Sequence, residues 1–193
     1  IKDYAPPFTT NNATPALFIF QGDAWESILP QSYSKEELDW AQTHLRILSG
    51  LYGMLRPLDL IQPYRLEMGT KLKMEKAKTN NLYQFWQETL TQTLSRHLSE
   101  SGDPILINLA SQEYSRVIRQ KDSSMEMLTI TFRQHHKGKL KTIPIHSKRA
   151  RGLMLHWAIT NRPTDRELFK TFALDGYQFS RDSSTSDEWI FVR

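Results

Sequence analysis

The chain has 193 residues, 39% of them hydrophobic, a formal charge of +4 and no cysteine. That is material for a sizeable core, and it excludes disulfides, thiolate iron–sulfur ligation and a thiol peroxidase mechanism from these residues. No apolar run reaches the length that spans a bilayer, so neither a membrane nor a disulfide-linked partner is expected.

The charge is concentrated. Between Thr129 and Thr164 stand eight Lys and Arg (Arg133, Lys137, Lys139, Lys141, Lys148, Arg149, Arg151, Arg162) and no Asp or Glu, leaving 17 basic against 21 acidic residues elsewhere. Such a segment favours a polyanionic partner. The competing reading is a solvated basic face.

Taken in order, residues 1–15 are rich in Pro, Thr and Asn and predict an extended arm. Leu17–Phe20 reads as a buried strand that ends at Gln21-Gly22-Asp23, with Asp23 capping a helix through Ile28. Ser34 and Glu37 have capping-box spacing, and Leu38, Ala41, Leu45 and Leu48 recur at helical intervals, so a helix is predicted to run into Gly50. Gly50 and Gly53 then turn the chain, and Pro57 and Pro63 forbid a long helix beyond. The pattern predicts a helix, a tight hairpin and a second short helical piece.

Lys71–Lys78 is charged and reads as a loop or an irregular strand. Asn81 caps a helix with Leu82, Phe85, Trp86, Leu90, Leu94 and Leu98 on one stripe, which makes the Phe85-Trp86 pair core rather than a ligand platform. Gly102-Asp103-Pro104 ends it. Ile105–Leu109 reads as a buried strand running into a helix that begins at Ser111. Asn108 and Ser111 then stand at a strand's carboxyl end, where open α/β sheets bind ligands; an ordinary junction with Ser111 as cap explains them equally well.

Met127–Phe132 and Leu140–Ile145 alternate about His135-His136-Lys137-Gly138-Lys139, a β-hairpin with a basic tip. The two adjacent histidines lack a further ligand at metal spacing, so no metal and no cofactor is expected. Ser147 is read as the start of a helix reaching Asn161, which puts Lys148, Arg149 and Arg151 in its first turn. There they oppose the macrodipole at roughly 0.3–1 kcal/mol each, and a phosphate or carboxylate is expected on them and the adjoining amides. An internal salt bridge is the alternative. Leu174–Phe179 and Glu188–Val192 predict a closing hairpin.

Leu48–Gly69 (LSGLYGMLRPLDLIQPYRLEMG) resembles the signature of the bacterial YaaA family, the peroxide-stress-resistance proteins. The match continues in order with Gln21-Gly22-Asp23, Leu82–Trp86, Asn108–Tyr114, Lys148–Met154 and Gly176-Tyr177. The resemblance implies a cytoplasmic protein forming a single compact domain over residues 1–193. Its fold is expected to be mixed α/β (α+β), a mixed sheet with surrounding helices and a helix-hairpin-helix-like element. It implies a role in the response to peroxide, limitation of free intracellular iron and of oxidative DNA damage, and sequence-independent binding of double-stranded DNA. It also implies an earlier segment ahead of Ile1, opening on a strand and a Ser-Pro-Ala-Lys-Thr-like stretch.

Two readings of the residues follow. In a DNA-binding protein, Ser49, Gly50, Leu51, Tyr52 and Gly53 form the phosphate-facing hairpin, flanked by Arg46, Arg56 and Arg65. Lys137, Lys139, Lys148, Arg149 and Arg151 then supply the wider field. The two glycines lie three apart where the usual hairpin spaces them two apart, and close packing in a corner is their competing use. In an enzyme acting on a nucleotide, nucleobase or nucleic acid, Glu67 and Glu113 are the candidate acids and bases, with Asp59, Tyr64, Asn108, Ser111 and Tyr114 lining a pocket. No nucleophile elbow, Walker loop or Rossmann fingerprint accompanies them, and salt bridges from Arg56 or Arg65 to Asp59 or Glu67 would explain some of the same residues. A small phosphorylated ligand is the remaining partner expectation.

Overall fold

The computed structural model describes residues 6–74, 79–102, 105–120 and 125–193. Parts of the expected arm at 1–15, the loop at Lys71–Lys78 and the stop at Asp103-Pro104 lie outside the described residues. The chain divides into two compact units. The first comprises Ile1–Ile19, Gln42–Ile105 and Ala110–Glu126; the second comprises Phe20–Ala41, Leu106–Leu109 and Met127–Arg193.

In the first unit, β1 (Thr14–Pro15) pairs antiparallel with β4 (Leu60–Ile61), and α1 (Ala16–Ile19) follows at once. The expected strand at Leu17–Phe20 is therefore a single helical turn. Ala16 N–H donates to Asp59 C=O and Leu17 N–H to Pro57 C=O, both at 2.9 Å, which buries the two side chains completely. A four-residue apolar run has no period with which to tell strand from helix.

α2 (Lys35–His44) starts where its capping box placed it. Ser34 N–H donates to the Glu37 carboxylate at 2.7 Å and Glu37 N–H to Ser34 Oγ at 3.3 Å. It stops at His44, well before Gly50. Arg46 folds back over its last turn, Nη1 donating to the carbonyls of Gln42, Thr43 and Leu45. Then β2 (Ile47–Ser49) and β3 (Gly53–Leu55) pair antiparallel, with Ser49 opposite Gly53. The helix-hairpin-helix expectation is corrected here, because both arms of this turn are strands. Ile47, Ser49, Gly53 and Leu55 alternate inward, and that two-residue period overrides the helical spacing of Leu45 and Leu48.

α3 (Leu82–Ser101) is capped by Asn81, whose Oδ1 accepts from Gln84 N–H at 2.9 Å, and is closed by Gly102 at φ 72°. Phe85 departs from the expected stripe: it stands 39% exposed, while Trp86 turns toward the β2–β3 hairpin. α4 (Gln112–Ser115) is one turn after Ser111, whose side chain makes no cap bond.

The second unit carries a mixed sheet. Its order is β5 (Ile105–Asn108), β6 (Glu126–His136), β9 (Glu188–Val192), β8 (Gln178–Phe179), with β7 (Lys139–Lys141) also on β6. β6 and β9 run parallel, whereas β6–β7 and β8–β9 are antiparallel; the expected closing pair forms only through Gln178–Phe179, because Leu174–Gly176 is a 3₁₀ turn instead of strand. Phe132 anchors the core, its ring 5.1–5.9 Å from those of Phe172, Tyr177 and Phe191.

α5 (Pro144–Asn161) begins on Pro144 rather than Ser147, since proline suits the first helical position. Gly152 sits directly beneath the Ala24 carbonyl, where any Cβ would overlap that oxygen. This close approach lets the 3₁₀ turn Trp25–Ser27 lie on the helix. The turn replaces the expected Asp23-capped helix: Ala24 occupies the cap position and no side chain caps it.

Candidate functional site

The β6–β7 hairpin closes at the end of β6, where the ladder with β9 runs out. β9 pairs β6 over Thr129–Arg133, Arg193 continues the contact by accepting from His135 N–H at 3.0 Å, and β7 pairs Gln134–His136. Lys137 and Gly138 turn the chain at φ 50° and 72°, the sign that two-residue hairpins of right-handed twist require. Lys137, Lys139 and Lys141 are exposed along this arm, and only Thr142 and Ile143 separate it from α5 with Lys148 and Arg149. Arg133 is taken by Glu188 at 3.6 Å. Among the described residues, Lys137, Lys139, Lys141, Lys148, Arg149 and Arg151 have no carboxylate at salt-bridge distance. Arg151 is half-buried, which lowers its pKa, and its Nε donates to Ser147 C=O at 3.3 Å; a guanidinium stays charged regardless.

The earlier start of α5 changes the argument for an anion seat. Lys148, Arg149 and Arg151 lie beyond the first turn, where the macrodipole has largely faded. At about 100° per residue, Lys148 and Arg151 are roughly 60° apart around the helix, while Arg149 is turned about 100° from Lys148. The three therefore do not converge on one anion. Arg149 instead lines a cleft of about 490 Å³ with His146, Ile145 and Leu153 of α5 and Asp23, Glu26, Ser27 and Leu29 of the preceding loop. Apart from the Gly22-Asp23 pair, no motif in the chain marks this cleft.

In the first unit the signature glycines serve close packing. Gly50 C=O accepts from Trp86 Nε1 at 2.9 Å, and a Cβ at Gly50 would run into the Leu66 carbonyl. Gly53 has φ 76°, and a Cβ there would lie 2.7 Å from the Trp86 ring. Tyr52 N–H donates to Ser49 Oγ at 2.9 Å, and Ser49 Oγ is 2.5 Å from Tyr64 Oη. Ser49, Gly50 and Gly53 are thus buried, and Tyr52 packs edge-on against Tyr64. Arg56 is held by Asp59 at 3.1 Å, while Arg65 is exposed. Arg46 Nε and His97 Nδ1 are both buried without a hydrogen-bond partner among the described residues, and burial together with the Arg46 charge lowers the His97 pKa. His97 was not singled out in the sequence.

Of the expected pocket, the structure gathers Tyr64, Tyr114, Glu67 and Glu113. Burial, reinforced by Tyr64 and the two glutamates, pushes the Tyr114 hydroxyl up to about 12. Glu113 is committed: its Oε1 accepts from Gly69 N–H at 2.9 Å and its main-chain carbonyl accepts from Tyr83 Oη at 2.9 Å. Asp59 stays with Arg56, Ser111 precedes α4, and Asn108 belongs to the second unit, where its Nδ2 donates to Thr129 Oγ1 at 3.2 Å.

These features define a mixed α/β protein with a glycine-packed hairpin in one unit and a carboxylate-free basic arm in the other. The chain belongs to the YaaA family: the family model described as "Peroxide stress protein YaaA" matches residues 1–183. It is 47% identical over 192 residues to a UPF0246 protein of Acaryochloris marina, covering 100% of this chain and 75% of that protein. UPF0246 proteins of Cellvibrio japonicus and Colwellia psychrerythraea are each 45% identical, over 191 and 190 residues. Those matches cover 99% and 98% of this chain and 73% of each relative. Among the described residues no helix is long and apolar enough to cross a membrane.

Proposed function

We propose that this protein acts in peroxide stress by binding double-stranded DNA independently of sequence, through the β6–β7 arm and the Lys148–Arg151 side of α5, in the cytoplasm. In doing so it limits oxidative damage to DNA and the effects of free intracellular iron. The observation that carries the reading is the group of six cations that meet no carboxylate at salt-bridge distance among the described residues. Duplex DNA presents one phosphate charge per roughly 1.7 Å of axis, and an extended arm ending in a basic helix can track such a line of charge. Lysines act on phosphates as point charges and carry no base readout, which makes the binding indifferent to sequence.

The test is fluorescence anisotropy with two labelled duplexes of unrelated sequence. Both should bind alike, and Lys148→Ala with Arg151→Ala should weaken both by the same factor. A loss confined to one duplex, or no loss, contradicts the reading. Catalysis through Glu67 and Glu113 has less support, since Glu113 Oε1 already accepts from the Gly69 amide. A small phosphorylated ligand would meet some of the same cations but leave most of the arm unused.

A further inference from the structure

The cleft of the second unit holds opposite charges that leave one another unneutralised. One wall is the loop bearing Asp23 and Glu26; the other is α5, which presents Ile145, Arg149 and Leu153 at intervals of one helical turn, with His146 beside them. Among the described residues neither carboxylate forms an ion pair with Arg149 or with any other cation.

The cleft is also built rather than incidental. Gly152 brings the loop onto the helix at Ala24. Just beyond, Tyr33 Oη donates to Ile28 C=O, and His156 Nδ1 lies 2.9 Å from the same oxygen. Leu29 follows at φ 53°, a conformation that L side chains rarely adopt. It stands 55% exposed at the mouth, with Ile145 57% exposed. Two large apolar side chains are thus held in water beside two carboxylates and one guanidinium that do not pair with one another.

We propose that this cleft binds a short zwitterionic peptide of dipeptide size. Its ammonium faces Asp23 and Glu26, its carboxylate faces Arg149 and His146, and its apolar side chains cover Leu29, Ile145 and Leu153. Both signs of charge are needed: the carboxylates repel a phosphate or a DNA strand, and Arg149 repels a simple cation. The apolar lining disfavours a purely polar ion. A volume of about 490 Å³ is that of a small-molecule pocket, and the Arg149 guanidinium matches a carboxylate in two-pronged geometry. Of the six cations offered to DNA only Arg149 lines this cleft, and it is turned away from Lys148 and Arg151, so the two sites share a single side chain.

Isothermal titration and NMR of the full chain with L-leucyl-L-leucine test it, against the N-acetylated, C-amidated form of the same dipeptide. The free dipeptide should bind, and the blocked form should bind about ten-fold or more weakly. Glu26→Gln and Arg149→Gln should each weaken the free dipeptide about ten-fold, while Glu26→Gln leaves duplex binding unchanged. No binding of the dipeptide in the millimolar range, equal binding of the blocked form, or undiminished binding to a folded Glu26→Gln protein would overturn the proposal. Glu26→Gln carries the test should Arg149→Gln fail to fold.

Discussion

Trp86 holds the β2–β3 hairpin from both sides: its indole N–H is the donor to Gly50 C=O, and its ring fills the space that Gly53 leaves by lacking a Cβ. Trp86→Phe keeps much of the packing and removes the donor, leaving a buried carbonyl unpaired. The expected cost is about 1–3 kcal/mol, read as a lower urea midpoint with an unchanged slope. Gly152 makes a similar case against local propensity. Alanine there should gain about 1 kcal/mol of helix propensity, yet its Cβ would enter the Ala24 carbonyl. Overpacking of this kind typically costs about 1–3 kcal/mol, and a backbone atom has little room to yield. Gly152→Ala should therefore lower the melting temperature and also abolish dipeptide binding; a stabilised variant would contradict the packing account.

At the scale of elements, the features written in local chemistry were legible in the sequence. The Ser34–Glu37 box, the Asn81 cap and the basic hairpin about Lys137-Gly138 all depend on neighbours within four residues. The features that failed depend on distant partners. Ala16–Ile19 is a helical turn whose first two amides meet Asp59 and Pro57, and Gly50 and Gly53 look like a phosphate-facing turn until Leu66 and Trp86 come in from elsewhere. Neither the cleft nor the Arg46–His97 pair has a sequence signature, since each is assembled from segments far apart in the chain. The hairpin itself offers a local test. Gly138→Ala forces a Cβ into the left-handed region at about 1–2 kcal/mol, which should raise amide exchange at Lys139–Lys141 and leave the sheet core around Phe132 protected. Uniform loss of protection would mean that the arm is not a separable element.

For the whole molecule, alkaline pH is the natural probe, because burial raises the pKa of Tyr33, Tyr64, Tyr114 and Tyr177 alike. The unfolded chain ionises these hydroxyls near 10, whereas the fold keeps Tyr114 protonated to about 12. Below pH 10 both states hold the proton and stability is complete; above it the unfolded state releases protons first, so stability falls as pH rises through that window. Denaturant midpoints across it should decline, and Tyr114→Phe should decline less steeply. A flat profile would show that these hydroxyls titrate alike in both states.

The central claim concerns the six cations that meet no carboxylate among the described residues, and the slope of log affinity for duplex DNA against log salt concentration tests it most directly. Each neutralised phosphate contributes about −0.9. The account expects a slope approaching −5 if most of the six engage, flattened by about two units when Lys148 and Arg151 are both replaced by alanine. A slope near zero, or one unchanged in the double variant, would contradict it.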